Sequence, residues 1–245
     1  MESNSTGSTW VNSKYYRLVY SNLDEKREQF VQSLLQKLQP ASGSKILHCG
    51  CGDGRYTKLL ANTDLDITGA DFNEEAIKEA IKLEQDNLHF VEHDMRLLFW
   101  INYFDYALSL FNTFGFYRTT REHNNYIRSI AQSLHAGGTL VIDYMNLSYE
   151  ESHINEKEEF SIDGRLVTIA KNLTDEHIFK DITVQEDVDS KTFVEKTTKL
   201  SLGNFTEMLS SNGMQVEEVF GDYNFADYNT NYSLRLIIKA CKMKM

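Results

Sequence analysis

The chain has 245 residues and carries 36 acidic against 25 basic side chains, a net charge of −11. That balance excludes a broad phosphate-binding surface, which would need clustered Lys and Arg, so nucleic acid is not expected as a partner and a small neutral or cationic ligand is. No apolar run approaches the roughly 20 residues needed to cross a bilayer, "MESNSTGSTW" has no secretory pattern, and Cys49, Cys51 and Cys241 build no disulfide framework, so a soluble cytoplasmic protein without membrane contact is expected.

Residues 24–38, "DEKREQFVQSLLQKL", set Phe30, Val31, Leu34, Leu35 and Leu38 at helical spacing, with acids at the start and Pro40 beyond the end. An apolar strand at 45–49, a helix from about 55, the strand "LDITGAD" and a helix opened by Asn73 follow. "NLHFVEHD", "YFDYALSLF" and "GGTLVIDYM" supply three more strands, with a helix at about 120–135 before the last. This alternation predicts parallel pairing in a doubly wound α/β sheet. From about 158 to 202 the period changes to apolar/polar alternation with a turn at Asp163-Gly164, which predicts an antiparallel β insertion. A short helix closed by Gly213 and two final strands complete the chain. The expected organisation is an N-terminal helical cap at 1–42, a core of 43–146 and 204–245, and an insertion at 147–203 acting as a substrate lid, all one folded unit.

Open α/β sheets bind ligands at the carboxyl ends of their parallel strands. The first end, "HCGCGDG", places Gly50, Gly52 and Gly54 at G-x-G-x-G spacing; a dinucleotide fingerprint needs a glycine at 55, which is Arg55, and no Gly-Lys-Ser/Thr follows for a phosphate loop. The second ends in Asp71, some twenty residues on, where a carboxylate can accept from ribose hydroxyls. The third ends in Asp94, placed to accept from an adenine amino group, with Phe72 and Met95 able to face the ring. Three such residues at successive strand ends point to an adenosyl ligand.

These segments resemble the class I S-adenosylmethionine-dependent methyltransferases, and among them an uncharacterised bacterial group. The resemblance rests on Tyr15-Tyr16 with Leu18, Tyr20 and Asp24-Glu25-Lys26, on "LHCGCGDGRY", "TGADFNEEAI", "HDMR" at 93–96, "LFNTFGFY" at 110–117 and "DYMN" at 143–146, and on Phe220–Tyr223 with Ser233–Ile237. It implies a Rossmann-like sheet of seven strands with the last antiparallel, and S-adenosylmethionine as methyl donor, leaving S-adenosylhomocysteine. It further implies that His48, Gly50 and Gly52 border the methionine part, Asp71 the ribose, Asp94 and Met95 the adenine, and Leu110-Phe111 the other side of the cofactor. Tyr15, Tyr16 and Tyr20 would belong to the cap over the site.

Methyl transfer from a sulfonium is an in-line displacement that needs alignment and exclusion of water, and a base only where the acceptor must lose a proton. Candidates at the fourth and fifth strand ends are Asn112, Thr113, Phe114, Tyr117, Asp143, Tyr144 and Asn146, as base or as substrate contacts. Arg235 is a contact for an anionic substrate or a salt bridge between insertion and sheet. His123 and His153 read as surface histidines, and no metal is expected; His48, Cys49 and Cys51 do not complete a tetrahedral site. The main departure from the family pattern is His48, where the resemblance implies an acid. An enzyme acting on a small molecule, monomeric or homodimeric, is the expectation. A non-catalytic adenosyl-ligand binder with a degenerate site is the alternative.

Overall fold

The computed structural model describes residues 10, 13–61, 64–186 and 189–244. Helices α1 (Lys14–Tyr20) and α2 (Asp24–Leu38) lead into the alternating part of the chain: β1 (Lys45–Cys49), α3 (Arg55–Leu60), β2 (Asp66–Asp71), α4 (Glu74–Ile81), β3 (Leu88–Glu92), β4 (Phe104–Ser109), α5 (Thr120–Ser133) and β5 (Leu134–Met145). A short helix α6 (Leu147–Ser152) precedes β6 (Glu158–Ile162), β7 (Arg165–Leu173), β8 (His177–Glu186) and β9 (Asp189–Thr198), after which α7 (Leu202–Ser211), β10 (Met214–Phe220) and β11 (Arg235–Lys242) close the fold. Local sequence fixes several helix starts. The Asn73 side chain accepts from Glu75 and Ala76 backbone N–H groups, and Thr119 with Glu122 forms a reciprocal capping box at α5.

The first sheet has seven strands in the order β10-β11-β5-β4-β1-β2-β3. β1 pairs in parallel with β2 and β4, whereas β11 runs antiparallel to β5 and β10. Its strands are buried on both faces, so neighbours in sequence enter different cores. Ile46 and Ile237 pack with Phe30, Leu34, Leu60 and Ile77 from α2, α3 and α4, while Leu47 and Ile238 pack with Ile127, Ile130 and Phe205 from α5 and α7. The chain reverses its strand order between β1 and β4, which opens a crevice at their carboxyl ends.

The insertion is a separate antiparallel meander, β6-β7-β8-β9. Its first turn has Asp163 and Gly164 at φ of 49° and 72°, the left-handed pair that a two-residue hairpin needs. Val167 and Ile169 face Val184 and Ile182 across the β7–β8 ladder, and this apolar row is covered by Trp10, Tyr15 and Val19. The N-terminal helix therefore packs on the insertion. Thr198 ties the end of β9 to the core: its N–H donates to the Gly115 carbonyl, its Oγ1 to the Tyr117 carbonyl, and its own carbonyl accepts from the Tyr144 hydroxyl at 2.5 Å.

Candidate active site

The carboxyl end of β1 turns through Gly50 and Gly52, both at positive φ. A Cβ on Gly50 would lie 1.9 Å from Thr113 Cγ2, so glycine here admits the loop after β4. A Cβ on Gly52 would meet nothing within 4 Å, and the Gly52 N–H donates to Asp71 Oδ2 at 2.9 Å. Asp71 Oδ1 accepts from the Asn73 N–H at 2.9 Å; burial raises the Asp71 pKa, opposed by the hydrogen bonds from Asn73, Gly52 and Phe72. A fixed carboxylate thus stands beside open space at the turn, with Phe72 62% exposed next to it. Asp94 is held by its neighbour: Arg96 donates to both carboxylate oxygens, lowering the Asp94 pKa, and reaches Glu122 as well. Met95 and Leu110 are buried, one in each of the two cores.

His48 is 2% exposed, and its Nδ1 shares a 2.8 Å hydrogen bond with Thr57 Oγ1 on α3. Burial pushes the imidazole pKa down to about 4, so it is neutral near pH 7. The ring offers a ligand almost no surface and is committed to the layer between sheet and helix. Cys49 and Cys51 are buried free thiols whose pKa burial raises, to about 12 for Cys49. Among the described residues, no group of three or more His, Cys, Asp and Glu is arranged to hold a metal.

The strands β4, β5 and β11 meet in a buried polar network. Asp143 is fully buried; its Oδ1 accepts from Arg235 Nε at 2.8 Å and Nη2 at 2.7 Å, and its Oδ2 from the Phe111 N–H at 2.8 Å and the Tyr223 hydroxyl at 3.1 Å. Arg235 Nη2 also donates to Asn112 Oδ1 at 2.9 Å. The network holds Phe111 and Asn112 at φ of 59° and 62°, a consecutive left-handed pair that non-glycine residues avoid. Asn146 is likewise engaged, donating to the Thr230 and Ser233 carbonyls and accepting from Tyr228.

Several expectations change accordingly. Asp143 and Asn146 have every polar atom committed and are not available as bases, and Arg235 closes a salt bridge inside the sheet rather than between insertion and sheet. Phe114 and Tyr144 lie fully buried in the core and expose no surface to a substrate. His123, expected at the surface, is buried against Phe114 and Tyr117, with Nδ1 near the Thr119 carbonyl; His153 stacks on Tyr149. Tyr15 turns into the insertion core. Tyr117 is mostly buried with its ring beneath the Arg96 guanidinium.

Tyr16, Tyr20, Phe111 and Asn112 do meet, around a cavity of about 220 Å³ between α1, α2, the insertion sheet and the ends of β4 and β11. Phe116 and Tyr223 add aromatic walls, and Arg27 lies over the Tyr20 and Phe111 rings at 5.4 and 5.0 Å. Burial raises the Tyr16 pKa, and the insertion's Glu195 adds to the rise; its ring packs edge-on against Tyr20. The sequence reading missed the charged lining: Lys26 and Arg27 from α2, Glu150 from α6, and Glu158, Lys171, Lys180 and Glu195 from the insertion. Glu195 is 6% exposed and accepts from Trp10 Nε1 at 3.1 Å and the Tyr20 hydroxyl at 2.7 Å. The period-2 pattern of the insertion carried a signal, since Lys171, Lys180 and Glu195 are charges in phase with its buried positions Ile169, Ile182 and Thr197.

The strand order, the antiparallel β11 and the glycine turn at the crevice define the class I methyltransferase fold, with an added antiparallel sheet. Residues 46–138 match the family described as "Methyltransferase domain". Rat (Rattus norvegicus) glycine N-methyltransferase is 22% identical over 233 residues, covering 85% of this chain and 80% of the relative. The CcbJ methyltransferase of Streptomyces caelestis superimposes with a TM-score of 0.77 at 16% identity, covering 89% and 90% of the two chains. CalS10 from Micromonospora echinaspora, an amino pentose methyltransferase solved with S-adenosylmethionine bound, gives 0.72 at 16% identity, covering 94% and 98%.

Proposed function

We propose that the protein transfers a methyl group from S-adenosylmethionine to a small molecule held in the cavity beneath the insertion. The observation that carries this is the junction at the β1 and β4 ends. A turn with open space at Gly52 and a fixed Asp71 carboxylate lies at the β1 end, and Phe111 and Asn112 after β4 line a polar cavity together with Tyr16.

These residues fit the cofactor. Asp71 offers acceptor lone pairs to the ribose hydroxyls, exposed Phe72 a face for the adenine, and the cavity cations Lys26 and Arg27 a counter-charge for the methionine carboxylate. Asp94 reaches the adenine amino group only by sharing its oxygens with Arg96. When bound, S-adenosylmethionine supplies an already activated methyl group. The protein's own part is to orient and to exclude water: α1, α2 and the insertion enclose the acceptor, while the Asp143–Arg235 network fixes Phe111 and Asn112 at the boundary between the two ligands. The small-molecule acceptors named for glycine N-methyltransferase and CalS10 support the same scale of substrate.

His48 does not make the site degenerate on this reading, because its ring is paired with Thr57 and the cofactor contacts lie elsewhere. Calorimetric titration with S-adenosylmethionine and S-adenosylhomocysteine tests the reading. Both should bind, and absence of heat with well-folded protein would overturn it. Binding of both with no transfer to any small-molecule pool would favour the non-catalytic binder.

A further inference from the structure

We infer that the acceptor is an organic anion, a carboxylic acid ionised at neutral pH, and that Lys26 receives its carboxylate; the inference rests on the methyl-transfer reading of this same cavity. The chain as a whole has 36 acidic against 25 basic residues, a net charge of −11 that by itself favours a neutral or cationic ligand. The cavity has the opposite bias. Lys26, Arg27, Lys171, Lys180 and Arg235 line it, against Glu150, Glu158 and Glu195. The charge lining a cleft, rather than the sum over the molecule, decides which ions it concentrates, and here that charge runs against the composition.

The bias survives pairing. Lys171 meets Glu150 at 3.0 Å and Glu158 at 3.3 Å, Lys180 meets Glu195 at 3.5 Å, and Arg235 meets Asp143 at 2.7 Å. The cavity carboxylates are thereby taken up on the insertion side, and Lys26 and Arg27, neighbours on α2, form no salt bridge among the described residues. Arg235 adds donors on the same side as α2: its Nε and Nη2 serve Asp143 and Asn112, while its Nη1 donates to no acceptor among the described residues. The cofactor does not use up both α2 cations. It brings an ammonium and a sulfonium against one carboxylate, an excess that Asp71 at the ribose offsets. Arg27 lies over the Phe111 ring at 5.0 Å, and it opposes the rise that burial gives the pKa of Tyr56, in the first turn of α3 beyond the glycine turn, so it stands toward the methionine end. Lys26, about 100° round the helix from Arg27, is the cation left for the acceptor. With Asp143 counted against Arg235, the loaded site is short of one negative charge. A single carboxylate supplies it, whereas a phosphate monoester, at about −1.5 to −2, overshoots. The carboxylate is a handle: it stays ionised and is not the group methylated.

The test uses the full chain, saturating S-adenosylmethionine labelled in the methyl group, and a bacterial small-molecule extract split on a strong anion exchanger at neutral pH. Acceptor activity should lie in the retained fraction, survive phosphatase treatment of that fraction, and give a labelled product that is itself retained. Lys26 is exposed, so its replacement leaves the fold in place. Dilution of the active fraction should show the apparent KM raised roughly tenfold in Lys26→Met, as loss of a charge-assisted hydrogen bond does, with kcat near wild type and with Lys26→Arg close to wild type in both. Because the cofactor is saturating, a change in its affinity does not enter. Activity confined to the flow-through, where neutral, zwitterionic and cationic molecules run, overturns the inference and leaves the methyl-transfer reading intact. Loss of activity to phosphatase, a product no longer anionic, or a Lys26→Met curve superimposed on wild type does the same. No transfer to either fraction, or no S-adenosylhomocysteine binding by wild type, overturns the methyl-transfer reading and this inference with it.

Discussion

Replacing Asp143 by Asn separates a structural carboxylate from a catalytic one. The side chain is fully buried and receives four donors, two from Arg235, one from the Phe111 N–H and one from the Tyr223 hydroxyl. An Asn of the same shape must point its NH2 either at Arg235 or at the Phe111 N–H, donor against donor, and it leaves the guanidinium without a counter-charge. Breaking a buried pair in this way costs about 3–5 kcal/mol. A domain of mid-range stability, roughly 10 kcal/mol, stays folded after that loss, with its melting temperature lowered by about 10 °C. Urea unfolding of wild type and Asp143→Asn measures the difference, and calorimetry with S-adenosylhomocysteine should show weaker binding as Phe111 and Asn112 lose their left-handed restraint. A variant within about 0.5 kcal/mol of wild type in stability, yet unable to transfer methyl groups, would refute this reasoning and return Asp143 to the role of base.

Three further outcomes are expected. Glu195→Gln weakens the bonds from Trp10 and Tyr20 by about 1–2 kcal/mol together, so trypsin should cut faster at Lys14 and Arg17 under native conditions; unchanged cleavage would show that α1 is held by apolar packing alone. Asp71→Ala should weaken S-adenosylhomocysteine binding at least roughly tenfold, about 1.4 kcal/mol, and an unaltered dissociation constant would remove Asp71 from the site. The His48 imidazole titrates near 4 when folded and near 6.5 when unfolded. As pH falls the unfolded chain takes up that proton first, so stability is full above about 6.5 and declines toward pH 4 by roughly 3 kcal/mol. His48→Gln should flatten that part of the melting profile relative to wild type, and coincident slopes would contradict the buried neutral imidazole.

The doubly wound sheet was legible because its strands are short apolar runs closed by Gly, Asn and Asp, and α2 emerged from the helical spacing of Phe30, Val31, Leu34, Leu35 and Leu38 between an acidic start and Pro40. Gly52 and Asp71 were legible for the same reason: turn chemistry and strand ends are local. The polar residues at the fourth and fifth strand ends were not. Asp143 and Asn146 look catalytic by position, and only β11 and the loop after β10, about 80 residues away in sequence, supply the partners that engage them. Phe114 and Tyr144 failed as substrate contacts because they pack against α5 and α7, a burial that local pattern does not specify. His48 drew attention as a substitution at a family position. Its meaning depended on Thr57, nine residues on in the first turn of α3.

The packing of α1 on the insertion gives the chain two interchangeable parts of unequal kind. Trp10, Tyr15 and Val19 fill the gaps of the row formed by Val167, Ile169, Ile182 and Val184, and Tyr20 shares a carboxylate with that sheet. In recombining this scaffold with relatives, the leading helix and the meander therefore constitute a single cassette that must be inherited from one parent. A chimera that took α1 from one source and the meander from another would pair mismatched knobs and gaps, and its acceptor preference would be lost for reasons unrelated to any residue touching the substrate.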